Sequence, residues 1–128
     1  MNVKKVTTEL QQKYLGKKII CLPEDNPSEI ICEIEPVSEH PDYSVAIAVI
    51  DKTAAHYHQK TTENYEIVSG ALTLIVDGQK HEMKAGDGLT INPGQIHSAI
   101  GNQTWIKCTS RPAWIPEDHL SVRQFKLS

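Results

Sequence analysis

Residues 55–70 read AHYHQKTTENYEIVSG and hold two of the six histidines of the chain, two positions apart. Side chains alternate between the two faces of a strand, so His56 and His58 point to the same side if this stretch is extended. The run 61–68 also predicts a strand, because it is rich in Thr, Tyr, Ile and Val and lacks Gly and Pro. A bend between the two strands would bring Glu63 towards the two imidazoles.

Two neutral imidazoles and one carboxylate are ligands that a divalent first-row metal prefers. The histidine pair by itself favours a different interpretation, because two polar side chains that share a face commonly mark the solvent side of a strand. A metal site therefore requires a third histidine elsewhere in the chain.

Length and composition limit the possible classes of protein. The 128 residues fit one domain, 1–128, which can bury a reasonable core. The net charge of −3 and the pI near 6.0 give no basic surface, so we expect neither nucleic acid nor a membrane as a partner. No apolar run is long enough to span a bilayer.

The cysteines and the first residues indicate the compartment. Cys21, Cys32 and Cys108 are odd in number, lie far apart and form no CxxC pair, which is typical of thiols in a reducing environment. The stretch 1–18 lacks the apolar centre of a signal peptide. We therefore expect a cytoplasmic protein.

Strand-like runs separated by turn residues fill most of the sequence. One helix is predicted at 3–15, and the tail after 110 is predicted to begin irregularly and to end in a short helix. The predicted strands and one hairpin, which turns at Asp77-Gly78, cover 18–22, 29–35, 43–51, 61–68, 71–83, 89–92, 96–100 and 104–110. Such a series favours an all-β sandwich or barrel. The pattern leaves open whether Trp105 or Ile106 faces inward.

The stretch 85–102, AGDGLTINPGQIHSAIGN, supplies the third histidine, His97, after a predicted tight turn at its NPG. Together with 55–70 it resembles the paired motifs of the cupin superfamily. The first motif of that family is His-any-His, three or four residues, Glu, six residues and Gly. This motif is complete here as His56, His58, Glu63 and Gly70.

The second family motif is Gly, five residues, Pro-any-Gly, two residues, His, three residues and Asn. Gly86, Gly94 and His97 match it. Asn92 stands at the proline position and Gly101 at the asparagine position. Both departures concern turn and strand-end positions, and neither falls on a metal ligand.

The resemblance covers 54–102 by motif and implies both a fold and a site. The implied fold is an all-β, single-domain cupin β-barrel, a double-stranded β-helix of the jelly-roll type, with a short N-terminal helix or extension. The implied site holds one divalent transition metal (Fe, Mn, Zn, Ni, Co or Cu) inside the barrel. The implied ligands are His56, His58, Glu63 and His97. In a six-coordinate ion they leave two adjacent positions for water or substrate.

Other side chains are weaker candidates. Tyr65 shares a face with Glu63 and is the candidate catalytic residue, since its hydroxyl could contact a bound ligand; core packing is the alternative. We expect His81 to be exposed on the hairpin. His119 follows an apparent turn, and a position over the barrel mouth is its less favoured interpretation. Trp114 packs either as a lid on one barrel end or against the outer sheet.

The resemblance does not select one reaction, because this fold carries many chemistries. We prefer a metalloenzyme that acts on a small organic ligand in the barrel, with a metal-dependent oxygenase first. The alternatives are a sugar or sugar-phosphate isomerase or epimerase and a non-catalytic, metal-dependent binding module. We also expect a homodimer, because small cupins usually pair and the apolar strands within 18–35 could lie across the sheet of a partner.

Overall fold

The computed structural model describes residues 1–122, which form one helix and nine strands. The helix, α1, spans Val3–Lys13. The strands are β1 (Lys18–Leu22), β2 (Glu29–Glu35), β3 (Ser44–Tyr57), β4 (Thr62–Ser69), β5 (Ala71–Val76), β6 (Gln79–Lys84), β7 (Gly88–Ile91), β8 (His97–Arg111) and β9 (Leu120–Ser121). A short 3-10 turn, Pro116–Asp118, precedes β9. The all-β prediction is confirmed.

The two longest strands, β3 and β8, pass from one layer of the barrel to the other. Residues 44–50 of β3 pair with 104–110 of β8, and after a shift in register residues 52–56 pair with 97–100. The first pairing belongs to a layer in the order β1-β2-β3-β8-β4-β7. The second belongs to a layer in the order β6-β5-β8-β3-β9. Every pairing is antiparallel, as the predicted jelly-roll barrel requires.

Side chains from both layers fill the interior of the barrel. They form one buried cluster of Ala48, Ile50, Tyr65, Ile67, Leu72, Leu74, Val76, Met83, Ile91, Ala99 and Ile106. Burying one large apolar side chain of this kind contributes about 1.5–3 kcal/mol to folding. The apolar core therefore stabilises the strands that carry the predicted ligands, independently of the ligand side chains.

A second apolar cluster lies outside the barrel, beneath α1. It contains Val6 and Leu10 of the helix and the strand residues Ile30, Cys32, Ile47 and Val49. Trp105 of β8 packs against this cluster, with the ammonium of Lys13 5.0 Å from the centroid of its ring, whereas Ile106 belongs to the barrel interior. The apolar face of β2 is thus covered by the helix, and its other face looks into the barrel.

Strand β8 joins the two strands predicted at 96–100 and 104–110. In the sequence, Gly101 suggests a turn between two separate strands. In the structure it lies within β8 and allows β3 and β8 to approach closely. A Cβ at this position would lie 2.6 Å from Oγ1 of Thr104 and 2.8 Å from the carbonyl oxygen of Ile50. A side chain there would collide with both neighbours, so this glycine keeps the strand continuous.

Two further sequence predictions have clear outcomes. Asp77 and Gly78 form the hairpin turn between β5 and β6, with φ angles of 49° and 79° as a type I′ turn requires. The strand predicted at 43–51 extends to Tyr57 and therefore carries His56. Residues 123–128, where the helix predicted at the end of the tail falls, lie outside the described residues.

The strands within 18–35 do not leave an open apolar face in the described chain, because α1 covers β2. Within residues 1–122, β1 pairs only with β2, so its second edge is free of strand partners. The homodimer stays a prediction. No helix among these residues has both the length and the hydrophobicity of a membrane span.

Candidate metal centre

The structure brings together all four predicted ligands. His56 lies at the end of β3, with His58 just after it, while Glu63 lies on β4 and His97 begins β8. One ligand atom from each residue lies within 4.8 Å of the others. All four side chains are at most 5% exposed, which is unusual for such polar groups unless they share a common partner.

Backbone carbonyl groups fix the orientation of the three imidazole rings. In each ring Nδ1 donates to a carbonyl oxygen: His56 to Ala54 at 2.7 Å, His58 to Asp118 at 2.8 Å and His97 to Gln95 at 3.0 Å. A neutral imidazole carries one proton, so a proton on Nδ1 leaves the lone pair of Nε2 free. This is the arrangement that metal-binding histidines typically show.

The contacts between the carboxylate of Glu63 and two imidazole rings show whether a cation fits the site. Its Oε1 lies 3.1 Å from Nε2 of His58 and 3.1 Å from Nε2 of His97. Nε2 of His58 is fully buried and has no hydrogen-bond partner within residues 1–122. Lone pairs of neutral imidazoles would face an anionic oxygen here, and a divalent cation would satisfy all of them. The donor set therefore fits a metal ion.

Charge at the site agrees with this chemistry. Burial raises the pKa of Glu63, but hydrogen bonds from Nε2 of His58 and of His97, which a bound cation would replace, outweigh burial and hold the pKa below its ordinary range. Burial above all, and then the nearby His97 and His119, lower the pKa of His56 to about 3. The carboxylate is thus ionised and His56 neutral near pH 7, which are the forms that bind metals.

Comparison with known proteins identifies the family. Residues 44–104 match the family model of the cupin domain. The matched segment is a cupin domain. An uncharacterized protein of Methanocaldococcus jannaschii is 36% identical to this cupin over 81 residues, which are 59% of this chain and 65% of that protein. Quercetin 2,3-dioxygenase of Bacillus subtilis is 33% identical over 48 residues, which are 38% of this chain and 14% of that protein.

The solved structures show the same fold. Streptomyces Pac13 in complex with uridine superposes on this cupin with a TM-score of 0.74 and 17% identity, and the match covers 86% of this chain and 88% of that one. The sequence matches, in contrast, span less than two thirds of the length of the two curated relatives. These comparisons therefore show that the proteins share the barrel fold, and they do not assign the activity of any of them to this chain.

The 3-10 turn after β8 holds the loop 59–61, which directly follows the predicted ligand His58. The carboxylate of Asp118 accepts hydrogen bonds from the backbone nitrogens of Gln59 at 2.9 Å, Lys60 at 3.1 Å and Thr61 at 3.2 Å. Burial raises the pKa of Asp118, but these three donors hold it below its ordinary value. Asp118 thus fixes the bend between β3 and β4. Sequence analysis missed it, because nothing local marks a partner 57 to 60 residues away.

His119, on the same turn, lies over the site. Its ring stacks on that of His56, with centroids 4.1 Å apart and planes at 8°, and Trp114 meets it edge-on at 6.1 Å. His119 does not belong to the converging group of four. Both His119 and Trp114 line the cavity. The position of His119 over the barrel mouth stays a prediction. His81 is half-buried on β6, whereas exposure was expected.

Two neutral hydrogen-bond donors lie beside the ligands. The thiol of Cys108 donates to Oε2 of Glu63 at 3.5 Å, and burial raises the pKa of this thiol well above its usual range. Tyr65 faces inward as predicted, and its ring centroid lies 6.3 Å from that of His97. Burial also raises the pKa of Tyr65, so its hydroxyl stays protonated.

The wall that β2 contributes to the cavity is acidic. Glu29, Glu33 and Glu35 line it together with Ile31. Burial above all, and then the charge of Glu63, raise the pKa of Glu29 to about 7. The sequence shows the alternation of β2 but not which face looks inward, and so this wall was not predicted.

Proposed function

We propose that this cupin is a metalloenzyme, a metal-dependent oxygenase that acts on a small organic molecule inside the barrel. The observation that supports it best is the set of three imidazoles, each with Nδ1 bound to a carbonyl, around the buried carboxylate of Glu63. Such a set holds an ion rigidly and leaves coordination positions free for exchange.

Each residue of the site has a separate part in this proposal. His56, His58, His97 and Glu63 hold the ion, and Glu63 offsets part of its charge. A redox-active ion such as iron, when bound, supplies the one-electron chemistry that dioxygen requires. The apolar interior excludes water, and the protonated hydroxyl of Tyr65 donates a hydrogen bond to the organic substrate.

The oxygenase is preferred over the isomerase for two reasons. A segment of the chain is 33% identical to a protein named quercetin 2,3-dioxygenase, although that match is short. A sugar phosphate also needs cationic partners, and no Lys or Arg among residues 1–122 lines the cavity. No specific observation supports the non-catalytic binding module, which turnover measurements separate from both enzymes.

The experiment begins with metal analysis of protein purified without an affinity tag. The protein is then loaded anaerobically with Fe²⁺, and dioxygen uptake is measured with a panel of flavonols, catechols and diketones. We expect uptake with at least one of these substrates, and none from His56→Ala combined with His58→Ala. Conversion of a neutral sugar by the manganese form without uptake of dioxygen would replace the proposal with an isomerase. Binding without turnover would replace it with the binding module.

A further inference from the structure

We propose that the barrel cavity binds a small molecule with a protonated amine, whose ammonium group pairs with the carboxylate of Glu29 and lies near the hydroxyl of Tyr65. This inference rests on the proposed function of the barrel as a small-molecule site, and it names the class of substrate.

The charge of the lining favours a cation. Glu29, Glu33 and Glu35 line the cavity, whereas no Lys or Arg of residues 1–122 does. Glu35 is paired with His40 at 3.0 Å, but Glu29 and Glu33 form no ion pair with any residue of that range. A divalent ion beside Glu63 keeps one net positive charge, and the unpaired carboxylates on the wall of β2 are separate partners for a cation. An ammonium group is the complementary ligand.

Of the two unpaired carboxylates, Glu29 is the better partner for a ligand. Glu33 also lines an outer groove with Lys17 and Lys18, and Lys18 lies directly opposite it in the pairing of β1 with β2. These cations offset its charge. Glu29 lies opposite Leu22 and Ile50, which are both apolar, so neither of its direct cross-strand neighbours offsets its charge.

The hydroxyl of Tyr65 is an independent indication of a ligand. The side chain is only 4% exposed and lines the cavity. Its hydroxyl nevertheless forms no hydrogen bond with any of residues 1–122. The hydroxyl is open to the cavity, since Nε2 of His58 is the one buried polar side-chain atom of these residues that lacks a partner. A polar group of the ligand beside Glu29 would give this hydroxyl a hydrogen-bond partner.

The rest of the lining describes the body of the ligand. Much of the remaining wall is apolar and includes Ile31, Ala46, Ala48 and Ile106. Trp114 also lines the cavity, and aromatic faces of this kind attract cations and pack against flat, apolar groups. An amine on a compact apolar body therefore fits the lining, and 2-phenylethylamine is a suitable probe.

The test uses the complete protein loaded with zinc. Calorimetric titrations compare 2-phenylethylamine with 2-phenylethanol, which has the same body without the charge. We expect the amine to bind at least about tenfold more tightly than the alcohol, as a charge-assisted contact would give. Glu29→Gln should abolish this preference, and Glu29→Asp should keep part of it. Glu66→Gln, which removes the same charge from the exposed face of β4, should leave it unchanged.

Equal affinities for the amine and the alcohol, or a preference that survives Glu29→Gln, would overturn the inference. Direct coordination of the amine by zinc would survive that substitution, so the variant separates the two modes of binding. Circular dichroism and zinc content of the same samples separate this result from the proposed function. If the wild type takes up no metal, the proposed function fails. If one zinc ion per chain is bound but the amine is not preferred, only the amine inference fails.

Discussion

The carbonyl oxygen of Asp118 accepts a hydrogen bond from Nδ1 of His58 at 2.8 Å, across 60 residues of sequence. The carboxylate of the same residue holds three backbone nitrogens of the loop that follows His58. One residue outside both cupin motifs thus orients a ligand ring and fixes the bend that brings Glu63 to it.

Asp118→Ala should destabilise the protein and loosen the metal site. Hydrogen bonds to a charged group contribute about 1.5–3 kcal/mol each but are not additive, so we expect a loss of about 2–4 kcal/mol in the free energy of unfolding. Metal affinity should fall roughly 10–100-fold, because the turn that carries the carbonyl partner of His58 is no longer tied to the backbone of Gln59, Lys60 and Thr61. Urea denaturation and metal titration measure the two effects. Glu117→Ala, on the exposed neighbour, is the control, and equal results from both variants would contradict the role of Asp118.

His56→Ala combined with His58→Ala should give a folded barrel without stoichiometric metal. The barrel interior packs through apolar side chains of both layers and does not depend on the imidazoles. Circular dichroism should therefore match the wild type, while elemental analysis should show the ion only in the wild type. Equal metal content in both proteins would disprove the metal centre.

Glu63→Gln should weaken metal binding by more than the roughly 10–100-fold that loss of an outer-shell partner costs. The substitution keeps the size of the side chain but removes the anion, so an ion that remains should acidify its bound water. Titration of metal-free protein with Mn²⁺ or Fe²⁺ measures the affinity.

Glu66→Gln is the matched control for this experiment, because Glu66 lies on the same strand and is exposed on its outer face. It should leave the affinity unchanged. A larger effect from Glu66→Gln than from Glu63→Gln would show that the register of β4 is wrong.

We expect a homodimer in solution, with the free edge of β1 as one surface for a partner strand. Exposed sheet edges readily pair with other strands, and a two-fold axis closes such an interface. Light scattering at micromolar concentration should give twice the 14.3 kDa mass of the chain. A single species of 14.3 kDa would rule out the dimer.

The sequence correctly predicted that His56, His58, Glu63 and His97 converge, partly because alternation within a strand is a local property. His56 and His58 share a face for the same reason that Glu63 and Tyr65 do, and the spacing to His97 matches a known motif. The structure departs from the predicted strands at Gly101, where a local turn signal is outweighed by the close approach of β3 and β8.

The sequence by itself determined most of the strands and the Asp77-Gly78 turn, since each depends on neighbours within a few positions, and the match to the two family motifs indicated the four converging residues. The tertiary structure alone decided which faces look inward. It turned Ile106 into the barrel and Trp105 towards α1, and it placed the carboxylate of Glu29 in the cavity. Sheets alternate in the same way whichever side is covered, so only the packing of α1 and of the turn at Asp118 could select between the two faces.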